Sequence, residues 1–161
     1  MSNYFETIII GSGISGLMTL KHLKEKKHQN ILVIEKNSYP FGIWNVKNHP
    51  SVLPETYCVS SKLYMTISDF PMSPKIPEFP HHSDILNYYY QYAHQYNLLK
   101  HVKYNISVKK TSKFSYSVLP RKVFAHITPL LCTFAIPSWV FIRNRLHLTN
   151  KNLLFIEPLM R

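Results

Sequence analysis

The hydrophobic positions near the start of the chain change period twice. Thr7-Ile8-Ile9-Ile10 is a short β-branched run of the kind that forms a strand buried on both faces. Ile14, Leu17, Met18, Leu20 and Leu23 then return at helical spacing, and Ile31-Leu32-Val33-Ile34 is a second apolar run closed by Glu35. Strand, helix and strand in direct succession predict a βαβ unit with two parallel neighbours. Farther on, Ile85, Leu86 and the set Tyr88, Tyr89, Tyr90, Tyr92 and Tyr96 fit a helix capped by Ser83, with part of the tyrosine set as its packing face. Val102, Tyr104, Ile106 and Val108 alternate as a strand should.

Glycine sharpens this picture. The chain has four glycines in 161 residues, where average usage gives about eleven, and three of them fall in Gly11-Ser12-Gly13-Ile14-Ser15-Gly16 between the first strand and the helix. Each has a physical task there. The first makes the tight strand-to-helix turn, the second lets a pyrophosphate approach the backbone, and the third lets helix and strand pack closely. The phosphates would sit on the helix N-terminus, against free N–H groups and the positive end of the dipole. Lys21, Lys24, Lys26 and Lys27 crowd the other end and complement it. Glu35 stands 19 residues after Gly16, where a carboxylate can accept hydrogen bonds from both hydroxyls of an adenosine ribose. A plain βα turn with a surface Glu35 would leave the second and third glycines without a reason. Glu35 repels a ribose 2′-phosphate, so this loop disfavours NADP, while FAD and NAD both stay open.

Composition and charge change less. Hydrophobic residues make up 45% and charged residues 17%, which excludes wholesale disorder, collagen-like repeats and a disulfide scaffold. Cys58 and Cys132 lie far apart without metal-ligand spacing, and the N-terminus lacks a basic segment followed by a long apolar one. Both features point to an intracellular, cytoplasmic setting. The net charge of +11 comes from scattered lysines and not from a dense basic cluster, so nucleic acid is not favoured as a partner. His81-His82 has no third ligand at a useful spacing, and no metal site is expected. Catalytic triads, nucleophile elbows and Walker loops are absent.

The residues after Glu35 resemble the flavin-containing monooxygenase family. Phe41-Gly42-Ile43-Trp44 is similar to its Gly-Gly-x-Trp segment, Ser60-Ser61-Lys62 and Ser68-Asp69-Phe70-Pro71 to its Ser-Lys and Ser-Asp-Phe-Pro stretches, and Ser83 through Ala93 to the helix that follows. The likeness runs to about Lys110. It implies an α/β fold with a Rossmann-like FAD-binding βαβ unit and a parallel sheet, incomplete relative to the family, over residues 1–112. It also implies FAD as cofactor, held by Gly11, Gly13, Ser15, Gly16, Glu35, Lys36, Gly42, Trp44 and Val108. The activity implied is NADPH- and O2-dependent oxygenation of nitrogen or sulfur, and no catalytic residue is assigned.

Two positions depart from the family. Phe41 replaces the first glycine of Gly-Gly-x-Trp and restricts the backbone at a cofactor-facing turn. Val59 stands where the family has an asparagine near the reactive face of the flavin, and valine cannot offer an amide's hydrogen bonds. Residues 43–161 contain no glycine, so the glycine-rich loop that holds NADPH in the family has no counterpart, and a separate chain supplying that region stays open. The chain alone is therefore expected not to be competent, and a non-catalytic adenine-dinucleotide-binding or interaction module is the alternative. Residues 113–161 form a basic tail of uncertain structure, expected to be irregular. Within it, 123–142 is long enough to span a bilayer as a helix, but Pro129, Pro137 and several polar residues inside the run argue against that.

Overall fold

A computed structural model describes residues 4–46, 52–111, 139–149 and 153–158. Strand β1 (Tyr4–Ile10) leads through the glycine-rich turn into helix α1 (Ile14–Glu25), and β2 (Ile31–Ile34) follows. β1 and β2 pair in parallel with Ile8 opposite Leu32 and Ile10 opposite Ile34. β3 (Val102–Lys103) continues the parallel sheet beyond β2, so the predicted βαβ unit and parallel sheet are present.

On the other side of β1 the sheet changes character. β5 (Trp139–Thr149) pairs antiparallel with β1, β6 (Leu153–Pro158) antiparallel with β5, and β4 (Ser107–Thr111) parallel with β6. The strand order is β3-β2-β1-β5-β6-β4. Two expectations change here. Residues 139–149 and 153–158 of the tail are regular strands and not irregular chain, while 112–138, which hold most of the 123–142 run, lie outside the described residues. Among the described residues no helix is long and apolar enough to cross a membrane. The single strand read over 102–108 is also two: Asn105 takes a left-handed φ of 59°, as short polar side chains tolerate, and breaks the ladder between β3 and β4. Burial still alternates through the break, with Val102, Tyr104, Ile106 and Val108 the more covered positions.

The parallel strands are apolar on both faces because both faces are covered. Ile9 and Val33 join Leu17, Leu20, Ile85 and Tyr92 in the larger core, with α1 and, after the short helix α2 (Lys62–Met65), α3 (His82–Gln95) supplying the helical side. Ile8, Leu32 and Ile34 face the other way, against Phe5, Ile106 and Val108. Tyr88, Tyr89 and Tyr92 are buried, so the tyrosine set is chiefly a packing face, as its periodicity predicted. The cap of α3 is His81 and not Ser83. Its Nδ1 accepts from the Ser83 N–H, and the Asp84 carboxylate accepts from the His81 N–H at 3.1 Å, a reciprocal box that satisfies donors at the helix start.

Candidate functional site

The site lies at the carboxyl ends of β1 and β2, where open α/β sheets place their ligands. Gly11 turns the chain with φ +96°, a conformation open to glycine at no steric cost, and its N–H donates to the Ile34 carbonyl at 2.7 Å. Gly13 caps α1 in extended conformation, with no side chain capping the helix and no acidic residue in its first turn. A Cβ at Gly13 would enter open space, whereas a Cβ on Gly16 would come within 2.1 Å of the Gly11 carbonyl oxygen and 3.4 Å of Ile9. Gly11 thus makes the turn and Gly16 allows the close crossing of helix and strand, while Gly13 has open space beside it. A helix N-terminus with unspent N–H donors suits a phosphate. Ser15 is half-buried and its carbonyl accepts from the Thr19 hydroxyl.

Glu35 closes the arrangement. Its side chain is 5% exposed. Oε2 accepts from both the N–H and the hydroxyl of Ser12, each at 2.9 Å, and Oε1 accepts from the Asn37 N–H at 2.9 Å. Ser12 in turn accepts through its carbonyl from the Phe41 N–H at 3.1 Å. The glycine loop, the end of β2 and the turn Gly42–Trp44 are therefore tied together through one serine, which the glycine spacing alone did not single out. Lys36 is exposed beside this knot, and Val108 is half-buried on the Ile8 face.

Phe41 takes a left-handed backbone conformation, with φ +70°. Left-handed backbone costs a non-glycine residue roughly 1–2 kcal/mol. The residue is 1% exposed, and its ring packs edge-on against Tyr90 at 4.7 Å and tilted against Tyr89 at 6.0 Å. Burying a phenylalanine contributes roughly 1.5–3 kcal/mol, enough to offset the strain. Gly42 also has positive φ, and Trp44 is half-buried with its ring edge toward Tyr89. Val59, in contrast, is 81% exposed.

The 62–72 segment is anchored by groups whose part the sequence did not reveal. Lys21, one of the lysines read as complementing the dipole at the end of α1, is 6% exposed and pairs with Asp69 and, at 2.7 Å, with Glu25. Burial lowers its pKa, but hydrogen bonds to Asp69 and Glu25 more than offset this and the net direction is up. Asp69 is thereby a partner of α1. The Tyr88 hydroxyl accepts from the Ile67 N–H at 2.8 Å and donates to the Phe70 carbonyl, and burial pushes it up to about 12. Lys62 donates to the Ile76 carbonyl at 2.7 Å. His81 and His82 both lie against the Pro54 carbonyl, and among the described residues no cluster could hold a metal ion.

Residues 6–121 match the family described as Flavin-binding monooxygenase-like. The chain belongs to this family. It is 32% identical over 117 residues to the flavin-containing monooxygenase 5 of Rattus norvegicus, covering 68% of this chain and 22% of that protein. It is 31% identical over 120 residues to dimethylaniline monooxygenase [N-oxide-forming] 2 of Mus musculus, covering 70% of this chain and 22% of the relative. The chain thus spans about a fifth of the length of the curated relatives it matches. Among solved structures, a flavin-containing monooxygenase from Stenotrophomonas maltophilia aligns with a TM-score of 0.60 at 16% identity, over 98% of this chain and 37% of that one. An oxidized steroid monooxygenase bound to NADP aligns with a TM-score of 0.52 at 17% identity, over 67% and 21%. At such identities the structures speak for the shared fold.

Proposed function

We propose that this chain is the FAD-binding portion of a flavin-dependent monooxygenase that oxygenates nitrogen or sulfur with NADPH and O2. The observation that carries the proposal is the loop of residues 11–16. Gly11 turns, Gly13 leaves a cradle that any side chain would narrow, Gly16 lets the helix close on the strand, and the buried Glu35 carboxylate is wired to the same loop. These residues fit the adenosine diphosphate half of FAD: N–H groups at the start of α1 for the pyrophosphate and Glu35 for the ribose. Ser15, Lys36, Gly42, Trp44 and Val108 complete the proposed contact set. FAD when bound supplies the redox chemistry; the chain's own part is to hold and orient it.

On this reading the chain alone does not couple NADPH oxidation to oxygenation. No glycine-rich phosphate loop follows residue 42, and hydride transfer depends on orientation that can be worth roughly 7–11 kcal/mol. A non-catalytic dinucleotide-binding module is the second reading, favoured by that same absence of glycine. Fluorescence titration tests the first point: FAD should bind more tightly than FMN, which lacks the ADP half, and Gly13→Val should abolish binding. Equal affinity for FAD and FMN would sink the assignment. Anaerobic mixing of the loaded chain with NADPH tests the second, and flavin bleaching followed on oxygenation by stoichiometric N- or S-oxide would show a competent enzyme.

A further inference from the structure

A carboxylate offers about four acceptor sites, and three of those on Glu35 are already engaged. Oε2 takes the Ser12 N–H and the Ser12 hydroxyl, and Oε1 takes the Asn37 N–H. Two of these donors are main-chain groups in fixed segments, and Ser12 is held from its other side by the Phe41 N–H. Its hydroxyl is the third donor, on a residue 0% exposed. Turning it away from Glu35 would strand a buried hydroxyl, which is unfavourable. Counting the hydrogen bonds among the described residues, one acceptor site therefore remains, on Oε1.

We infer that Ser12 is a specificity-determining residue of the adenosine end, whose hydroxyl restricts Glu35 to a single ribose hydroxyl. This rests on the reading of Glu35 as the ribose-binding acid, and it replaces the expectation that the carboxylate engages both hydroxyls. Ser12 acts through Glu35 as a positioning residue: it fixes the carboxylate rotamer and occupies the acceptor site a second hydroxyl would use. In Ser12→Ala that site on Oε2 is vacated, and both ribose hydroxyls can donate.

Competition against bound FAD with ADP, 2′-deoxy-ADP and 3′-deoxy-ADP tests the inference on the full chain. In the unaltered protein one deoxy analogue should compete about tenfold or more weakly than ADP, as expected for a lost hydrogen bond to a charged group, and the other within about threefold of it. In Ser12→Ala both analogues should be weakened about tenfold. Ser12→Cys, with a poorer donor, should fall between the two patterns. Equal penalties for both analogues in the unaltered protein would overturn the inference without any variant. An unequal pattern that persists unchanged in Ser12→Ala and Ser12→Cys would overturn the role of Ser12. If FAD binds but ADP does not displace it, the adenosine-end reading fails, and this inference with it.

Discussion

Gly13 and Gly16 stand three residues apart, at the cap and in the first turn of α1, yet alanine at each should fail in a different way. At Gly13 the backbone has φ −62° and ψ 169°, which alanine adopts freely, and its Cβ would meet nothing within 4 Å. Alanine is a poorer N-cap than glycine by up to about 1 kcal/mol, while loss of glycine's freedom in the unfolded chain returns about 0.4–1 kcal/mol. Stability should therefore stay within about 1 kcal/mol of the unaltered protein. Binding should not, because the new methyl occupies the space through which a pyrophosphate would approach the helix. A loss of roughly 2–3 kcal/mol corresponds to about 30- to 150-fold in affinity.

At Gly16 the order reverses. A Cβ there lies 2.1 Å from the Gly11 carbonyl oxygen, and a backbone atom cannot swing aside as a flexible side chain can. Overpacking of this kind costs typically 1–3 kcal/mol and sometimes more, against about 1 kcal/mol gained from alanine's better helix propensity. A net loss of about 2 kcal/mol should lower the melting temperature by roughly 4–8 °C in a chain of this size. Denaturant titration measures the stability of both variants, and FAD fluorescence titration measures their binding. A Gly13→Ala protein that binds FAD as well as the original, or a Gly16→Ala protein as stable as the original, would refute the division of labour among the glycines.

Comparing Phe41→Ala with Phe41→Gly should separate packing from strain. Each loses about 3–5 kcal/mol of core, but the glycine variant should be the more stable by roughly 1 kcal/mol because it relieves the left-handed backbone, and denaturant midpoints report the difference. Burial, with the charges of Lys24 and Lys100, lowers the pKa of His101, so folded His101 refuses a proton that the unfolded chain accepts below about 6.5. Its contribution is present above that pH and lost as pH falls toward the folded value; the melting temperature of His101→Gln should decline less than the original's between pH 7.5 and 5.5. Deleting residues 113–161 removes β5, which pairs with β1 from Tyr4 to Ile10, and bares a central apolar strand. Soluble yield and thermal stability should fall sharply, and an unchanged melting temperature would show that β1 does not depend on β5.

What the sequence could show was decided by how local each signal was. β1, α1, β2 and the glycine loop were legible because each rests on spacing within a few residues and on glycine's lack of a Cβ. The wiring of Glu35 was legible only in part: Asn37 is a near neighbour in sequence, but Ser12 reaches the carboxylate only after the chain has folded back, although a small hydroxyl residue inside the fingerprint was a visible hint. Lys21 belonged to a run of lysines that looked alike on the page. Only the fold carries one of them under Tyr96 and beside Asp69. β5 was hidden for the opposite reason: Trp139-Val140-Phe141-Ile142 has strand-forming residues, but its partner lies at the far end of the sequence, and non-local pairing leaves no periodic trace. The break at Asn105 had a local signal, since asparagine is among the few residues that enter left-handed backbone readily.

The two ends of the proposed cofactor site are built from different kinds of contact, and this separates affinity from competence. The proposed adenosine end is centred on residues 11–16 and 35–37 with the turn at Phe41, joined by main-chain hydrogen bonds and by the bonds that the Glu35 carboxylate accepts. Among the described residues no comparable frame surrounds Val59, the position the family resemblance places near the reacting end. Val59 stands in solvent, on a ribbon where Cys58 and Lys62 bond to Pro80 and Glu78 and which also exposes Tyr57, Leu63 and Phe79. Interactions made equally in ground and transition states tighten binding without raising the rate of the chemical step. A chain that holds the ADP half well could thus retain most of its affinity for FAD while orienting neither nicotinamide nor substrate. Binding constants of Gly13, Ser12 and Glu35 variants report on the first property alone, and only flavin reduction and product yield report on the second.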